Sequence, residues 1–452
     1  MSKVAWMFPS PGAYLPGVLR PVVGEDPELA SVLKEIDVVA AQYGWGPVGS
    51  LLTDDRGDSA DQHGGHLWLG FYATSMVVDR ALTASGVCRD VVLGHSGGEV
   101  SALVAAGCLS VAEGARVLCE RARAVEGAGL VPGAMAVLEA PVRRVAQLCG
   151  AIDEGSLTVA VDNGPRQVVV SGAVTGISLL ERTADVLQIA TTRLQIPDAY
   201  HHPRLGAAAR RLADSVADIR LRRPLVRTYS PQLGRYIEDA ADVRELLEGM
   251  LVLPVRFREA LTTLHGEGVE TFIECGAKQV LSDVVPQCLP ASVRAVPLLT
   301  GRLQARTFQI LAASLTPDPG QVAEVKAPPP ASAPAVSADP EPQAAAPAPP
   351  AVSGPVAPAA VGVAGGLPDE AGLRDAVRGV YAELLQFPVD VVEDDVELES
   401  ELGVSSLKQI QAVTRLLDTY DLPTPGPEVQ VFTYRTVAQV AGLLRQLAAS
   451  EA

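Results

Sequence analysis

Through the N-terminal two thirds of the chain, short apolar runs alternate with stretches whose apolar positions recur every three or four residues. That alternation predicts an α/β domain. V-V-L at 91–93 reads as a buried strand, and 100–106 and 111–125 read as helices. Between 133 and 196 a smaller set follows: strand A-M-A-V-L, helix V-R-R-V-A-Q-L, strands L-T-V-A-V-D and Q-V-V-V-S-G, a helix over 177–187, and strand T-T-R-L-Q-I. Its β-α-β-β-α-β order is that of a ferredoxin-like unit inserted in the larger domain. Beyond about 370, three stripes at helical spacing predict a small all-α bundle: Leu373, Val377, Val380 and Leu384; Leu407, Ile410, Val413 and Leu417; Val437, Val440, Leu444 and Leu447.

The two patterned regions are separated by 317–367, nearly all Pro, Ala, Val, Gly and Ser, which removes backbone donors and predicts a disordered tether. The expected division is therefore 1–316, with the inserted unit at 133–196, then the linker, then 368–452. With 452 residues and 48% apolar content, the chain is long enough for two cores. A net charge of -17 argues against nucleic acid and against anionic membrane surfaces as partners. The last segment holds 15 acidic against 6 basic residues and so supplies about half of that charge. No apolar run approaches the length of a membrane span, and the start lacks a signal-peptide core, so a soluble cytoplasmic protein is expected. The six scattered cysteines form no C-x-x-C pair and read as reduced thiols; His63 and His66 have no third ligand nearby, so no metal is expected.

Gly94-His95-Ser96-Gly97-Gly98 fits G-x-S-x-G, in which glycines allow a serine to sit on a sharp strand-to-helix turn. The flanking strand and helix place Ser96 at a helix N-terminus, where a developing oxyanion is favoured. A serine hydroxyl needs a base, and six histidines are available. Ser110-Val111-Ala112-Glu113 has the form of a capping box, and the helix it starts carries Arg121 next to an apolar stripe. A guanidinium so placed either pairs with Glu113 or Glu120 or waits for an anion from outside.

The segment G-H-S-G-G-E-V-S-A-L-V-A-A-G resembles the nucleophile segment of malonyl-type acyltransferases, the family of malonyl-CoA:acyl carrier protein transacylases and polyketide synthase acyltransferase domains. The resemblance continues collinearly through F-P-S-P-G near the start, V-D-N-G-P-R-Q-V-V-V-S-G, A-Y-H-H-P and F-I-E-C-G-A-K-Q-V-L. It implies an α/β acyltransferase core in which Ser96 is the nucleophile and His201 the base, His202 being the alternative imidazole. It also implies that Arg121 holds the free carboxylate of a malonyl-type acyl-CoA, while Gly97, Gly12, His95, Asn163 and Tyr200 line the oxyanion hole or pocket. E-L-G-V-S-S-L-K-Q-I-Q resembles the acyl carrier protein signature, implying 4′-phosphopantetheine on Ser406, installed by a phosphopantetheinyl transferase. The implied partners are polyketide synthase components, ketosynthases or other carriers.

Four positions depart from that pattern. Pro11 stands where the family has an oxyanion-hole glutamine and has no N–H, so either Gly12 or a shifted loop supplies that donor, or acylation is slowed. Gly97 is small, which widens the expected pocket, whereas Tyr200 is bulky and narrows it. Ser405 replaces the usual aspartate before the carrier serine. The alternatives left open are a loader of an unusual substituted-malonyl or uncharged unit, a thioester hydrolase, and a weakened acyltransferase acting as a scaffold.

Overall fold

A computed structural model describes residues 3–300 apart from 25, 54–63, 129–131, 153–155, 195 and 197, and residues 367–449 apart from 386, 399, 400, 403, 405, 421 and 424–433. The expected linker therefore lies, but for Leu367, outside the described residues, as do His63 and Ser405.

The main sheet has six strands, β1 Lys3–Phe8, β2 Val91–Gly94, β7 Arg227–Ser230, β8 Arg235–Ile237, β9 Val269–Ala277 and β10 Arg294–Leu299, in the order β10-β9-β1-β2-β7-β8, with β3 to β6 in the inserted unit. All neighbours are parallel except β7 and β8. Parallel strands need cover on both faces, which explains why β1 reads as a continuous apolar run: Ala5, Trp6, Met7 and Phe8 are fully buried. Helices Gly64–Ala84, Gly98–Ala105 and Phe257–Gly266 pack on the strands, and onto the first of these pack Pro27–Gln42 and Val111–Glu126. The last starts on the anticipated capping box, with Ser110 Oγ accepting from Glu113 N at 3.2 Å and Glu113 Oε2 accepting from Ser110 N at 2.6 Å.

The inserted unit forms its own antiparallel sheet from β3 Gly133–Leu138, β4 Leu157–Gly164, β5 Gln167–Ala173 and β6 Thr191–Arg193, ordered β4-β5-β3-β6. Helices Val142–Ile152 and Val174–Val186 close one face of it around Ala136, Leu138, Val168, Val170, Ile177 and Leu180. Because side chains alternate across a strand, Met135, Val137 and Val169 point the other way, into a cavity shared with the main sheet. The two units are joined by Asp162 N to Val255 O and Val255 N to Ala160 O, both 2.9 Å, and by an Arg258–Asp162 ion pair at 2.7 Å.

Helices Glu370–Leu385, Ser406–Tyr420 and Val437–Ala449 make the C-terminal bundle. The first stripe drifts from expectation: Leu373, Val377, Tyr381 and Leu385 are buried, while Val380 and Leu384 are only partly covered, because this face follows a spacing of four. Val413, Leu417, Val437, Val440 and Leu444 are buried as anticipated. Contacts to the main unit run from Lys408 Nζ to Gln279 Oε1 at 3.1 Å and from Thr300 Oγ1 to Leu402 O at 2.8 Å. Among the described residues no helix is long and apolar enough to cross a membrane.

The tightest packing lies where β2 turns into helix Gly98–Ala105. A methyl group on Gly98 would stand 2.0 Å from the carbonyl oxygen of Phe8, and one on Gly94 2.3 Å from Glu99 Cα. Neither neighbour is a side chain that could swing aside. Gly98→Ala should therefore cost about 3 kcal/mol or more and lower the urea midpoint of the main unit strongly. Gly150→Ala is the control: nothing lies within 4 Å of its new methyl, and helix propensity gains about 1 kcal/mol, so its midpoint should hold or rise.

Candidate active site

The turn after β2 holds Ser96 at φ 55°, in the left-handed region that side chains avoid. It is stapled to β1 by His95 N donating to Phe8 O at 2.9 Å. Ser96 thus stands at the carboxyl end of the parallel strands, the edge where ligand crevices form in α/β sheets. His201, also at positive φ (59°), places Nε2 2.7 Å from Ser96 Oγ.

The imidazole is fixed from behind by backbone. Nδ1 donates to the Leu253 carbonyl at 2.8 Å, and the His201 amide donates to Leu251 O at 2.9 Å. A carbonyl only accepts, so the proton belongs on Nδ1 and the Nε2 lone pair faces the serine hydroxyl. Burial, and after it the charge of Arg121, pushes the His201 pKa down from 6.5 to about 3, which keeps the ring neutral and able to accept a proton. Gln232 Nε2 donates to Leu253 O at 3.0 Å and to Met250 O at 3.1 Å, bracing the same carbonyl. His202, the alternative imidazole, is taken up locally: Nδ1 accepts from Arg204 N at 3.1 Å and Nε2 meets Ser156 O at 3.2 Å.

Ser96 and His201 open on a cavity of about 420 Å³ between the two sheets. His95 and Asn163 meet on its wall, His95 Nε2 lying 2.8 Å from Asn163 Oδ1. Gly12 lies at the rim in a 3₁₀ turn over Pro11–Ala13, and its amide has no hydrogen-bond partner among the described residues. The same is true of the Gly97 amide. Lys278, a third non-glycine residue at positive φ, donates from Nζ to Gly12 O at 3.0 Å and tethers that turn to the end of β9.

Arg121 is 1% exposed, and its guanidinium lies 3.9 Å from the Trp68 ring centroid and 4.4 Å from that of Tyr200. Among the described residues its Nε and Nη1 have no hydrogen-bond partner. Of the two glutamates that its own helix offered as partners, Glu113 is engaged with Ser110 and Arg222 and Glu120 with the Tyr43 hydroxyl, while Asp198 on the cavity wall acts on Arg121 through its charge without closing an ion pair. The helix therefore delivers a buried cation to the cavity with two donors free.

The expected widening at Gly97 does not occur. A methyl group there would lie 2.9 Å from Trp68 and 3.2 Å from Phe71, so aromatic rings from helix Gly64–Ala84 already occupy that volume, and Gly97 does not line the cavity. Ser406 opens its helix, though its side chain lies outside the described residues. Among the described residues no cluster of His, Cys, Asp or Glu could hold a metal.

Sequence reasoning missed Trp68, Gln232, Lys278 and Asp198. Positive φ at a lysine and a backbone carbonyl as orienting group leave no sequence signal. Asp198 was findable, standing three residues before His201 in the same A-Y-H-H-P neighbourhood.

The acyl transferase domain family matches residues 25–315, and the phosphopantetheine attachment site family matches residues 375–444. The malonyl CoA-acyl carrier protein transacylase of Bacillus subtilis (strain 168) is 30% identical over 300 residues, covering 63% of this chain and 90% of that protein. Polyketide synthase GfsA of Streptomyces halstedii is 30% identical over 274 residues, covering 58% of this chain but only 4% of that much longer one. The acyltransferase domain from module 8 of the salinomycin polyketide synthase superposes with a TM-score of 0.64 at 24% identity, over 70% of this chain and 75% of that one, a likeness of fold.

Beneath the serine, Glu99 is fully enclosed, its Oε1 accepting from Ser230 Oγ at 2.8 Å and Gln232 N at 3.0 Å. Burial raises its pKa from 4.5 to about 8 despite those bonds. The folded state then holds a proton that the unfolded chain releases near pH 4.5, so this group's contribution is full below that pH and declines as pH rises toward about 8. Glu99→Gln keeps the acceptor and cannot ionise. Urea midpoints measured from pH 5 to 8.5 should fall less steeply for the variant than for the parent, and equal slopes would show that Glu99 is already charged.

Proposed function

The chain belongs to the acyl transferase domain family and carries a phosphopantetheine attachment domain, and from this premise we propose that it moves a malonyl-type acyl group from coenzyme A, through an ester on Ser96, to the phosphopantetheine thiol of a carrier domain, its own at Ser406 or a partner's. The observation that carries the dicarboxylate reading is Arg121: a buried guanidinium with Nε and Nη1 free, facing the cavity that Ser96 opens on. Leaving such a cation without an anion is costly, and a carboxylate is the planar acceptor that matches a guanidinium.

In the first half-reaction Ser96 Oγ bonds to the thioester carbonyl carbon while its proton passes to His201 Nε2. The C–S bond then breaks, and the imidazolium returns the proton to the departing thiolate. Leu253 O holds the Nδ1 proton throughout. The carbonyl oxygen, negative in the tetrahedral intermediate, is offered the amides of Gly97 and Gly12. Gly12 serves here because Pro11 has no N–H, with Lys278 holding its turn in place. In the second half-reaction His201 takes the proton of the acceptor nucleophile, the acyl carbon bonds to that nucleophile, and Ser96 leaves with the proton restored.

The cofactor of the attachment domain is a covalent 4′-phosphopantetheine, whose thiol carries acyl groups as thioesters. Ser406 suits it: it opens a 15-residue helix, whose first-turn amides favour a phosphodiester. Lys408, two residues on, touches Gln279, and Gln279 follows the Lys278 that bonds Gly12 at the cavity rim. This proximity supports the chain's own carrier as recipient, with 1–316 as the transferase, 317–367 as the tether and 368–452 as the carrier. A phosphopantetheinyl transferase would install the arm, and a polyketide-type synthase would receive the charged carrier.

Intact-mass measurement after incubation with malonyl-CoA should show acyl groups on both sites of the pantetheinylated chain. Ser96→Ala should remove both, and Ser406→Ala should remove only the carrier's. Rapid release of free malonate without a carrier adduct would identify a hydrolase instead, and no adduct at all a scaffold.

Arg121→Ala should lower kcat/KM for malonyl-CoA on the order of 10²-fold while leaving acetyl-CoA unchanged or faster, and Lys should recover only part. Equal losses for both substrates would make Arg121 a packing residue.

A further inference from the structure

Two carboxylates of the cavity, the exposed Glu126 at the rim and the more enclosed Asp198, are left without a role by acyl transfer of plain malonate. Asp198 lines the same chamber as Arg121 and Ser96, is half-buried, and makes no hydrogen bond or ion pair among the described residues. It is close enough to Arg121 for each to feel the other's charge, yet no nitrogen of Arg121 comes within 4.0 Å of it to form an ion pair. Burial, and the carboxylate of Glu126 at the same rim, work against its ionisation. A carboxylate meant only to neutralise Arg121 would close on it. This one instead faces the chamber from the segment leading to His201, while Arg121 faces it from helix Val111–Glu126.

The two groups bracket a guest that brings an anion to one and a hydrogen-bond donor to the other. With the thioester carbonyl at Ser96 and the free carboxylate at Arg121, the carbon between them is the acyl α-carbon, and a substituent on it is what remains to meet Asp198. Resting on the malonyl-type reading above, we propose that this site selects malonyl thioesters bearing a hydrogen-bond donor on the α-carbon, a hydroxyl or an amino group, with Asp198 as the acceptor. Methyl substituents gain nothing there and desolvate the carboxylate, so Asp198 counts against them as well. Trp68 over Gly97 and the Tyr200 ring narrow the chamber around Arg121, which restricts the substituent to a small one.

The test compares hydroxymalonyl, aminomalonyl, methylmalonyl and malonyl pantetheine thioesters as donors to Ser96, by intact mass and initial rate. The wild type should favour a donor-bearing unit over methylmalonyl by 10- to 100-fold in kcat/KM, the usual effect of a hydrogen bond to a charged group. Whichever of the hydroxyl and amino compounds is faster names the donor. Asp198→Val should collapse that ratio toward one, and Asp198→Asn, which keeps an acceptor oxygen, should retain part of it. A wild-type ratio near one, or an unchanged ratio in Asp198→Val, overturns the assignment. Should malonyl itself fail to load Ser96, the malonyl-type reading fails first; malonyl loading without α-substituent preference sinks this inference alone.

Discussion

Everything at the site follows from how closely one helix approaches one strand. Helix Gly98–Ala105 begins so near the carbonyl of Phe8 that neither Gly94 nor Gly98 has room for a methyl group. That proximity forces the intervening residues into a turn with Ser96 at positive φ, and the turn lifts its hydroxyl clear of the sheet. Main-chain strain of about 1–3 kcal/mol persists only where surrounding structure over-determines it. Here the bond from His95 to Phe8 and the enclosed Glu99 beneath provide that determination.

Around the turn, charge is managed by burial rather than by pairing. His201 is kept neutral and oriented by a carbonyl, not by a carboxylate. Glu99 is held uncharged below about pH 8. Arg121, which cannot shed its proton, is sandwiched between two aromatic rings that offer π-faces in place of a counterion. The chamber thus presents a buried cation on which no carboxylate closes among the described residues, Asp198 acting on it only through its charge, in a low-dielectric setting where attraction for an anion is strong.

The elements carrying strong local signals were legible from sequence: the glycine-flanked serine, the capping box ahead of Arg121, and the β-α-β-β-α-β order of the inserted unit. What escaped depends on tertiary neighbours. The small size of Gly97 suggested space, but Trp68 and Phe71 come from a helix preceding the turn in sequence and fill it. Two adjacent histidines have equal chemistry on paper, and only the fold turns His202 into the cap of a 3₁₀ turn while His201 meets the serine. In the bundle, Tyr381 and Leu385 displaced Val380 and Leu384 because the face was read with one residue of phase error.

The partition of the chamber between two sheets separates what must stay fixed from what is free to vary. Ser96, His201 and the carbonyl behind it are all bonded to the main unit, through Phe8, Leu251 and Leu253. Met135, Val137 and Val169 belong to the inserted sheet, whose own core lies on its far side. Substitutions on that cavity face can therefore reshape the chamber without touching either the Ser96–His201 pair or the packing that holds the insert together. Such an arrangement makes substrate choice evolvable at low risk to chemistry: lineages can explore new building blocks by drift in one wall of a room whose other wall does the work.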